Sequence, residues 1–179
     1  MAYRRIASRE IYRNPWIGVQ VHQIEHPDGA SGEHLLVVTP AASAVVVDDG
    51  GDLLFARQPR FGADTDVLEL VKGGAAPDES ALDCAKRELR EELGVVATQW
   101  EPMGMLMEIP SIVSQSVNVF LARGIEHVLD EPEDVERIEL VRVPAREAIG
   151  AAAAGKIDDA VTVAALLRYG IATGILGLK

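Results

Sequence analysis

The chain has 179 residues, of which 48% are hydrophobic and 25% charged, a balance that is typical of one globular domain and excludes a disordered chain. The formal net charge of −11 argues against a general nucleic-acid-binding protein, because such proteins normally carry a basic excess. No apolar run reaches the ~18 residues of a membrane-spanning helix, residues 1–11 contain no apolar signal segment, and only one cysteine is present, so we expect a cytoplasmic protein that makes no membrane contact.

Short strands are predicted through the first seventy residues. Apolar residues alternate over 17–21, and a second strand at 35–38 follows the turn at 27–29. Further strands are predicted at 44–47, 53–57 and 67–71, where the apolar runs are short.

A helix is predicted over 77–93, because apolar residues recur there at spacings of three and four. Its expected buried stripe consists of Leu82, Ala85, Leu89 and Leu93. Asp78 is the predicted N-cap, and Gly94 supplies the stop at the C-terminal end.

The second half of the chain mixes strands and helices. Strands are predicted at 103–109, 117–122 and 138–143, and helices at 145–154 and 158–169. The last helix is expected to bury a stripe made of Ala160, Val163, Ala164 and Leu167. Many short strands with few helices predict an α/β (α+β) fold built from stacked layers.

The helix at 77–93 carries three glutamates on one face. Glu88 and Glu92 are four residues apart and therefore stack, and Glu91 flanks them. Their mutual repulsion costs stability unless cations lie between them, and hard oxygen ligands of this kind suit Mg²⁺ or Mn²⁺, which also bind phosphate oxygens. Taken alone, the same pattern also describes a solvated acidic surface.

The residues around these glutamates resemble the Nudix box at every position. The matching residues are Gly73, Glu79, Arg87, Glu88, Leu89, Glu91, Glu92, Gly94 and Val95. The resemblance implies an enzyme that hydrolyses phosphorus anhydrides and folds as a Nudix-type α/β/α sandwich with a mixed central sheet. It places the Nudix domain at 41–179, after an N-terminal antiparallel strand segment at 1–40.

In the Nudix family the box holds catalytic metal ions. The resemblance implies Mg²⁺, with Mn²⁺ as the alternative, and leaves the number of ions open. The implied metal ligands are Glu88, Glu91, Glu92 and the main-chain carbonyl of Lys72. Arg87 and Glu79 are implied to orient these ligands. Bound ions neutralise a diphosphate and help to ionise the attacking water.

Other segments resemble the ADP-ribose pyrophosphatase branch, which also hydrolyses nucleotide sugars. Residues 54–60 resemble a strand of that branch ending in Gln-x-Arg, which implies substrate contacts by Arg57 and Arg60, with Arg60 at a phosphate. Lys72 departs from the branch, which often has alanine there. Trp16 lies in a segment similar to the branch's first strands, which implies stacking on the base in the partner subunit's site; packing in a core or a dimer interface is the alternative.

The water-activating residue also departs from the branch. Gln115 stands where the branch has a glutamate, and an amide cannot act as a general base. Glu108 is the favoured replacement. The alternatives are metal activation that needs little help, or acidic residues of a polar loop, namely Glu131, Glu133 and Asp134.

The expected reaction is hydrolysis of ADP-ribose or a related nucleoside diphosphate sugar to a nucleoside monophosphate and a sugar phosphate. The alternatives are another nucleoside diphosphate derivative (GDP-mannose, a dinucleotide or an oxidised nucleotide) and a nucleotide-sugar sensor that does not cleave. The N-terminal strands and the apolar tail at 171–178 indicate a homodimer, because the branch often exchanges its N-terminal strands. Packing of the tail against its own core is the alternative.

Overall fold

The computed structural model describes residues 3–128 and 138–177. Within these ranges the chain forms eleven strands, three α-helices and one short 3-10 helix (Phe61–Ala63). In chain order, the strands and α-helices are β1 (Arg4–Arg13), β2 (Gly18–Glu25), β3 (Ser31–Val38), β4 (Ala42–Asp49), β5 (Asp52–Arg60), β6 (Thr65–Glu69), β7 (Val71–Gly74), α1 (Ala81–Leu93), β8 (Val95–Leu106), β9 (Val113–Ser114), β10 (Val117–His127), β11 (Glu139–Pro144), α2 (Ala145–Ala153) and α3 (Ala160–Ala172). No helix in the described ranges is both long and apolar enough to cross a membrane.

Seven strands form the central sheet. β11, β5, β4, β10 and β8 lie side by side in this order, with β6 paired to β5 and β7 paired to β4. β4 and β10 run parallel, and the other neighbours run antiparallel. The mixed central sheet expected from the sequence is therefore confirmed.

Side-chain alternation along β4 divides the core into two layers. Val45 points to one face and packs in a cluster with Leu89 of α1. Val46 points to the other face and packs in a cluster with Ala148 of α2 and Leu166 of α3. Because helices cover both faces of the sheet, the predicted α/β/α sandwich is confirmed.

The N-terminal strands form a second sheet in the order β1, β2, β3 and β9. β1, β2 and β3 pair antiparallel, as expected, whereas β9 pairs with β3 in parallel. The sequence pattern does not predict β1, because two register shifts leave Ile6 and Ile11 as extra residues opposite β2 and interrupt the alternation. Every residue of β1 is exposed.

The predicted N-cap of the box helix, Asp78, is wrong. Asp78 has a left-handed φ of 64° in the turn before α1, a conformation that an N-cap does not adopt. The cap is Ser80, whose hydroxyl oxygen accepts the backbone N–H of Asp83 at 3.1 Å. The predicted stop is confirmed, since Gly94 has a φ of 64° and donates its N–H to the carbonyl of Arg90 at 3.0 Å.

Two further predictions need correction. The face of α3 that is buried includes Val161, Ala165, Leu166 and Tyr169, not the stripe expected from spacing, because this helix is apolar around most of its circumference. β8 begins at Val95 and not at residue 103, because the polar residues and Pro102 in its first half hide the strand pattern.

After α3, Ile175 and Leu176 of the apolar tail pack against the chain's own core.

Candidate active site

A cleft with two adjoining cavities opens beside β7. The first, which we call the α1 cavity, has a volume of about 1090 Å³ and is lined by residues of α1, of the turn before it and of the β1–β2 connection. The second, the α3 cavity, has a volume of about 720 Å³ and reaches the start of α3. The two cavities share Arg60, Lys72, Gly73, Gly74 and Gln115.

Two of the three predicted carboxylate ligands face the α1 cavity. Glu88 and Glu92 both line it, and Glu92 is buried. Glu91 is half exposed and lies outside the residues that line this cavity. The helix therefore presents Glu88 and Glu92 inward and holds Glu91 at the rim.

Gly73 allows Glu88 to lie against β7. A Cβ atom built on Gly73 would overlap the carboxylate of Glu88, so any side chain at position 73 would displace it. The first glycine of the box is therefore required for a close approach of side chain to strand, and not for a positive φ. Lys72, the predicted carbonyl ligand, precedes it in β7 and lines both cavities.

Arg87 lies among the carboxylates of the box. Its guanidinium donates hydrogen bonds to Glu79 at 2.9 Å, to Glu88 at 2.6 Å and to Glu91 at 2.9 Å. A further N–H bonds to the carbonyl of Gly74 at 2.9 Å. The repulsion expected between the glutamates is thus offset by a cation of the protein itself.

The surroundings shift the pKa values of Glu79 and Glu88 in opposite directions. The hydrogen bonds from Arg87, and one from the backbone N–H of Ala76, lower the pKa of Glu79 from 4.5 to about 2. Burial raises the pKa of Glu88, although Arg87 opposes this shift. Glu79 is therefore ionised and holds Arg87 in place. Glu88 is a desolvated carboxylate, and a cation bound beside it would stabilise its charged form.

The donors in the α1 cavity fit a hard divalent cation. Glu88 and Glu92 supply carboxylate oxygens, and the Lys72–Gly74 backbone passes beside them. Among the residues that the structure describes, no three acidic, histidine or cysteine side chains converge as a complete metal site. Mg²⁺ commonly binds through one or two carboxylates and completes its shell with water and substrate phosphates, so this donor set suits it.

Lys72 brings together three carboxylates in the α3 cavity. Its ammonium nitrogen lies 3.2 Å from Asp159, 3.4 Å from Glu108 and 3.7 Å from Glu69. Desolvation alone would lower the pKa of Lys72, but these carboxylates outweigh it and raise the pKa. Desolvation likewise opposes ionisation of Asp159, yet Lys72 and Thr162 hold its pKa below the usual value. We call Glu69, Lys72, Glu108 and Asp159 the Lys72 cluster.

The predicted substrate residues fall into two groups. Trp16 is 74% exposed and lines the α1 cavity of its own chain, and Arg60 lines both cavities. Arg57 lies elsewhere and pairs with Glu139 at 3.1 Å. Residues 57 and 60 of one strand point to opposite faces, so the structure does not bring Arg57 into the cleft, and its substrate contact stays a prediction. Gln58, which shares the face of Arg60, lines the α1 cavity and was not predicted from the sequence.

The residues considered for water activation, Gln115 and Glu108, lie in different parts of the cleft. Gln115 lies in the cleft, where its amide nitrogen donates to the carbonyl of Pro40 at 3.3 Å. Glu108 lines the α3 cavity and is not among the residues that line the α1 cavity. Its carboxylate accepts a hydrogen bond from Lys72 at 3.4 Å, and its role as general base stays a prediction. Glu131, Glu133 and Asp134 lie outside the described residues.

Comparison with known proteins shows which family the chain resembles. The NUDIX domain family matches residues 37–166, and the nucleoside diphosphate sugar hydrolase N-terminal domain matches residues 3–35. An ADP-ribose pyrophosphatase of Bacillus subtilis is 27% identical over 167 residues, which cover 91% of this chain and 90% of that protein. An ADP-ribose pyrophosphatase of Mycobacterium tuberculosis is 27% identical over 178 residues, which cover 96% and 86%. The crystal structure of an ADP compounds hydrolase superposes with a TM-score of 0.85 at 22% identity and covers 98% of both chains.

The fold and the acidic helix define the class of protein, and the family match makes it specific: the chain belongs to the Nudix family. The predicted enzyme class, a Nudix pyrophosphohydrolase, is confirmed, as is the resemblance to the ADP-ribose pyrophosphatase branch. Nudix hydrolases generally need a divalent metal, in agreement with the oxygen donors of the α1 cavity.

Proposed function

We propose that the protein hydrolyses the pyrophosphate bond of ADP-ribose or a related nucleoside diphosphate sugar in a reaction that depends on Mg²⁺, or on Mn²⁺ in its place. The products are a nucleoside monophosphate and a sugar phosphate. The observation that carries this proposal is the position of Glu88 against Gly73, with Glu92 beside it in the same cavity. The names of the two curated relatives support ADP-ribose as the first substrate to test.

Glu88, Glu92 and the carbonyl of Lys72 are the proposed metal ligands, with Glu91 as a third carboxylate that exchanges Arg87 for the ion. A bound divalent ion neutralises the diphosphate and favours ionisation of the attacking water. Arg87 and Glu79 form the rigid pair that orients Glu88.

The substrate is held by side chains on either side of these ligands. Arg60, at the junction of the two cavities, is the proposed contact to a phosphate oxygen, because a guanidinium offers donors in a fork that matches phosphate. Trp16 is the proposed platform for the base; because its exposed ring lines the α1 cavity of its own chain, we propose that it stacks there and not in the site of a partner subunit.

The N-terminal segment, residues 1–40, is the proposed dimer-forming part, and residues 41–179 are the proposed Nudix domain. β1 exposes three large apolar side chains, Ile6, Ile11 and Tyr12, and an exposed apolar patch is typical of an interaction surface. A homodimer in which a second copy covers β1 would bury them. Light scattering of the full chain tests this assembly, and a monomer at all concentrations would contradict it.

The function is tested with a panel of ADP-ribose, ADP-glucose, GDP-mannose and a dinucleotide, each with Mg²⁺ and with Mn²⁺, and products separated by chromatography. We expect ADP-ribose to yield AMP and ribose 5-phosphate. A protein that binds ADP-ribose in calorimetry but cleaves no member of the panel would instead be a sensor. The variant Glu88→Gln is the matched control for contaminating hydrolase activity, because it should remove turnover while the fold is kept.

A further inference from the structure

The two cavities of the cleft differ in chemistry. The α1 cavity contains the carboxylates of the box and the indole of Trp16. Among the residues that the structure describes, four carboxylates, namely Glu69, Glu108, Asp158 and Asp159, and two cations, Arg60 and Lys72, line the α3 cavity. Carboxylates therefore outnumber cations in the α3 cavity, and none of these carboxylates belongs to the Nudix box.

The position of the α3 cavity places it next to the far end of a bound substrate. With the base at Trp16 and the diphosphate beside Glu88 and Glu92, the rest of the molecule continues past Gly73 and Gly74, the backbone that the two cavities share. The volume of about 720 Å³ lies within the range of small-molecule sites and has ample room for a pentose or a hexose.

The charge of the α3 cavity selects the kind of group that enters it. Ionised carboxylates are hydrogen-bond acceptors only, so they bind hydroxyl donors well. A phosphate in the same place would meet an excess of negative charge and be repelled. The chemistry thus matches an uncharged, hydroxyl-rich group and opposes an additional phosphate.

Lys72 determines the shape of this cavity. Glu108 comes from the segment after β8 and Asp159 from the N-cap of α3, and the ammonium group of Lys72 bonds to both. Glu69, at the end of β6, lies 3.7 Å from the same ammonium group and accepts a hydrogen bond from Arg60 at 2.6 Å. The start of α3 is fixed from a second direction, because Thr162 bonds both to Asp159 and to the backbone N–H of Leu70. The cluster is therefore a rigid wall whose charge balance depends on Lys72 at Glu108 and Asp159, and on Arg60 at Glu69.

We propose that the α3 cavity is the subsite for the sugar of the nucleoside diphosphate sugar, and that the side chain of Lys72 positions Glu108 and Asp159 to select an unphosphorylated, hydroxyl-rich group. This inference rests on the proposed function and deepens it. Lys72 acts through the carboxylates, so it is a positioning residue. Its effect should appear in the preference between substrates and in KM, because the metal ligands of the α1 cavity remain in place.

The test compares ADP-ribose with the β-methyl ester of ADP, which keeps the same pyrophosphate bond but has no sugar beyond it. For the wild-type full-length protein, kcat/KM should favour ADP-ribose by at least ~10-fold. In Lys72→Met the preference should fall several-fold, mainly through a higher KM for ADP-ribose, and Lys72→Arg should restore part of it. ADP-ribose with one more phosphate on the terminal ribose should be a poor substrate of the wild type.

The matched control is Arg142→Met, which removes a cation that pairs with Asp49 and Asp52 at the opposite end of β4 and should leave the preference unchanged. Equal kcat/KM of the wild type on ADP-ribose and on the methyl ester would overturn the sugar subsite. An equal loss on both substrates in Lys72→Met would also overturn it, since the lysine would then serve the fold or the metal site. A wild type that cleaves neither would overturn the proposed function itself, and the subsite with it.

Discussion

The two sheets of this chain differ most in what covers them. In the central sheet, the valines at 45–47 of β4 are 0% exposed because α1 packs on one face and α2 and α3 on the other. In the N-terminal sheet, every residue of β1 is exposed. The central sandwich therefore contains its own core, whereas the N-terminal sheet offers an exposed surface. We therefore expect changes in the sandwich to alter kcat and changes at the N-terminal sheet to alter affinity and assembly.

The largest effect is expected for Glu92→Gln in the sandwich. Loss of one metal-binding oxygen should reduce kcat for ADP-ribose by ~100-fold or more, while thermal unfolding shifts little because the amide has the same shape. Steady-state kinetics over a range of Mg²⁺ concentrations measure this. Near-full activity at saturating Mg²⁺ would remove Glu92 from the ligand set.

The next effect in size is expected for Gly73→Ala. The added methyl group overlaps the carboxylate of Glu88, which must move away from β7, so activity should fall by about 10- to 100-fold. Gly62→Ala is the matched control, because a Cβ atom at position 62 meets no neighbour within 4 Å. Kinetics with both variants give the comparison, and equal activities would show that Glu88 does not need this approach.

A smaller effect is expected at the N-terminal sheet. Trp16→Ala should raise KM for ADP-ribose by about 2- to 10-fold with little change in kcat, because a stacking platform contributes binding and not chemistry. Phe61→Ala is the control, since Phe61 is also an exposed aromatic residue but lines neither cavity. A fall in kcat with unchanged KM would show that Trp16 acts in the chemical step. It would contradict the expectation that the N-terminal region affects affinity and the sandwich affects kcat.

The smallest effect concerns the pH dependence of stability in the sandwich. The pKa of Glu79 lies at about 2 in the folded protein, below its ordinary value of 4.5. Its ion pair therefore stabilises the fold fully above pH 4.5, and this contribution is lost as the pH falls from there toward 2. Glu79→Gln should be less stable than the wild type at neutral pH, with a gap that narrows in acid. Urea denaturation across this range measures the gap, and a constant gap would exclude the ion pair as its cause.

The sequence predicts most of the sandwich and half of the cleft. Glu79, Arg87, Glu88 and Glu92 could be placed because they belong to one helix and the turn before it, where spacing alone determines which side chains meet. The cap could also have been read from Ser80 and Asp83, which have the spacing of a capping box. Asp78 was the more obvious candidate only because it precedes them.

Other features could not be read from spacing. The contacts of Lys72 with Glu108 and Asp159 span 36 and 87 residues, and only the folded sheet brings these side chains together. The bulges at Ile6 and Ile11 conceal β1, and the apolar surface of α3 gives no preferred face. The separation of Arg57 from Arg60 could not be read either, because a motif shows which residues recur but not which face of the strand each one occupies.

The hydrogen bonds that Arg87 donates to the carboxylates of the box and to the carbonyl of Gly74 have a consequence for how the protein responds to metal supply. The guanidinium is a resident counter-ion, so the acidic helix has a charge partner as soon as the chain folds. In zinc fingers the ion is needed for folding, and its scarcity lowers the amount of folded protein. Here we expect metal scarcity to leave the amount of folded enzyme unchanged and to lower only the fraction that turns over, so that activity returns as fast as the ion can diffuse in.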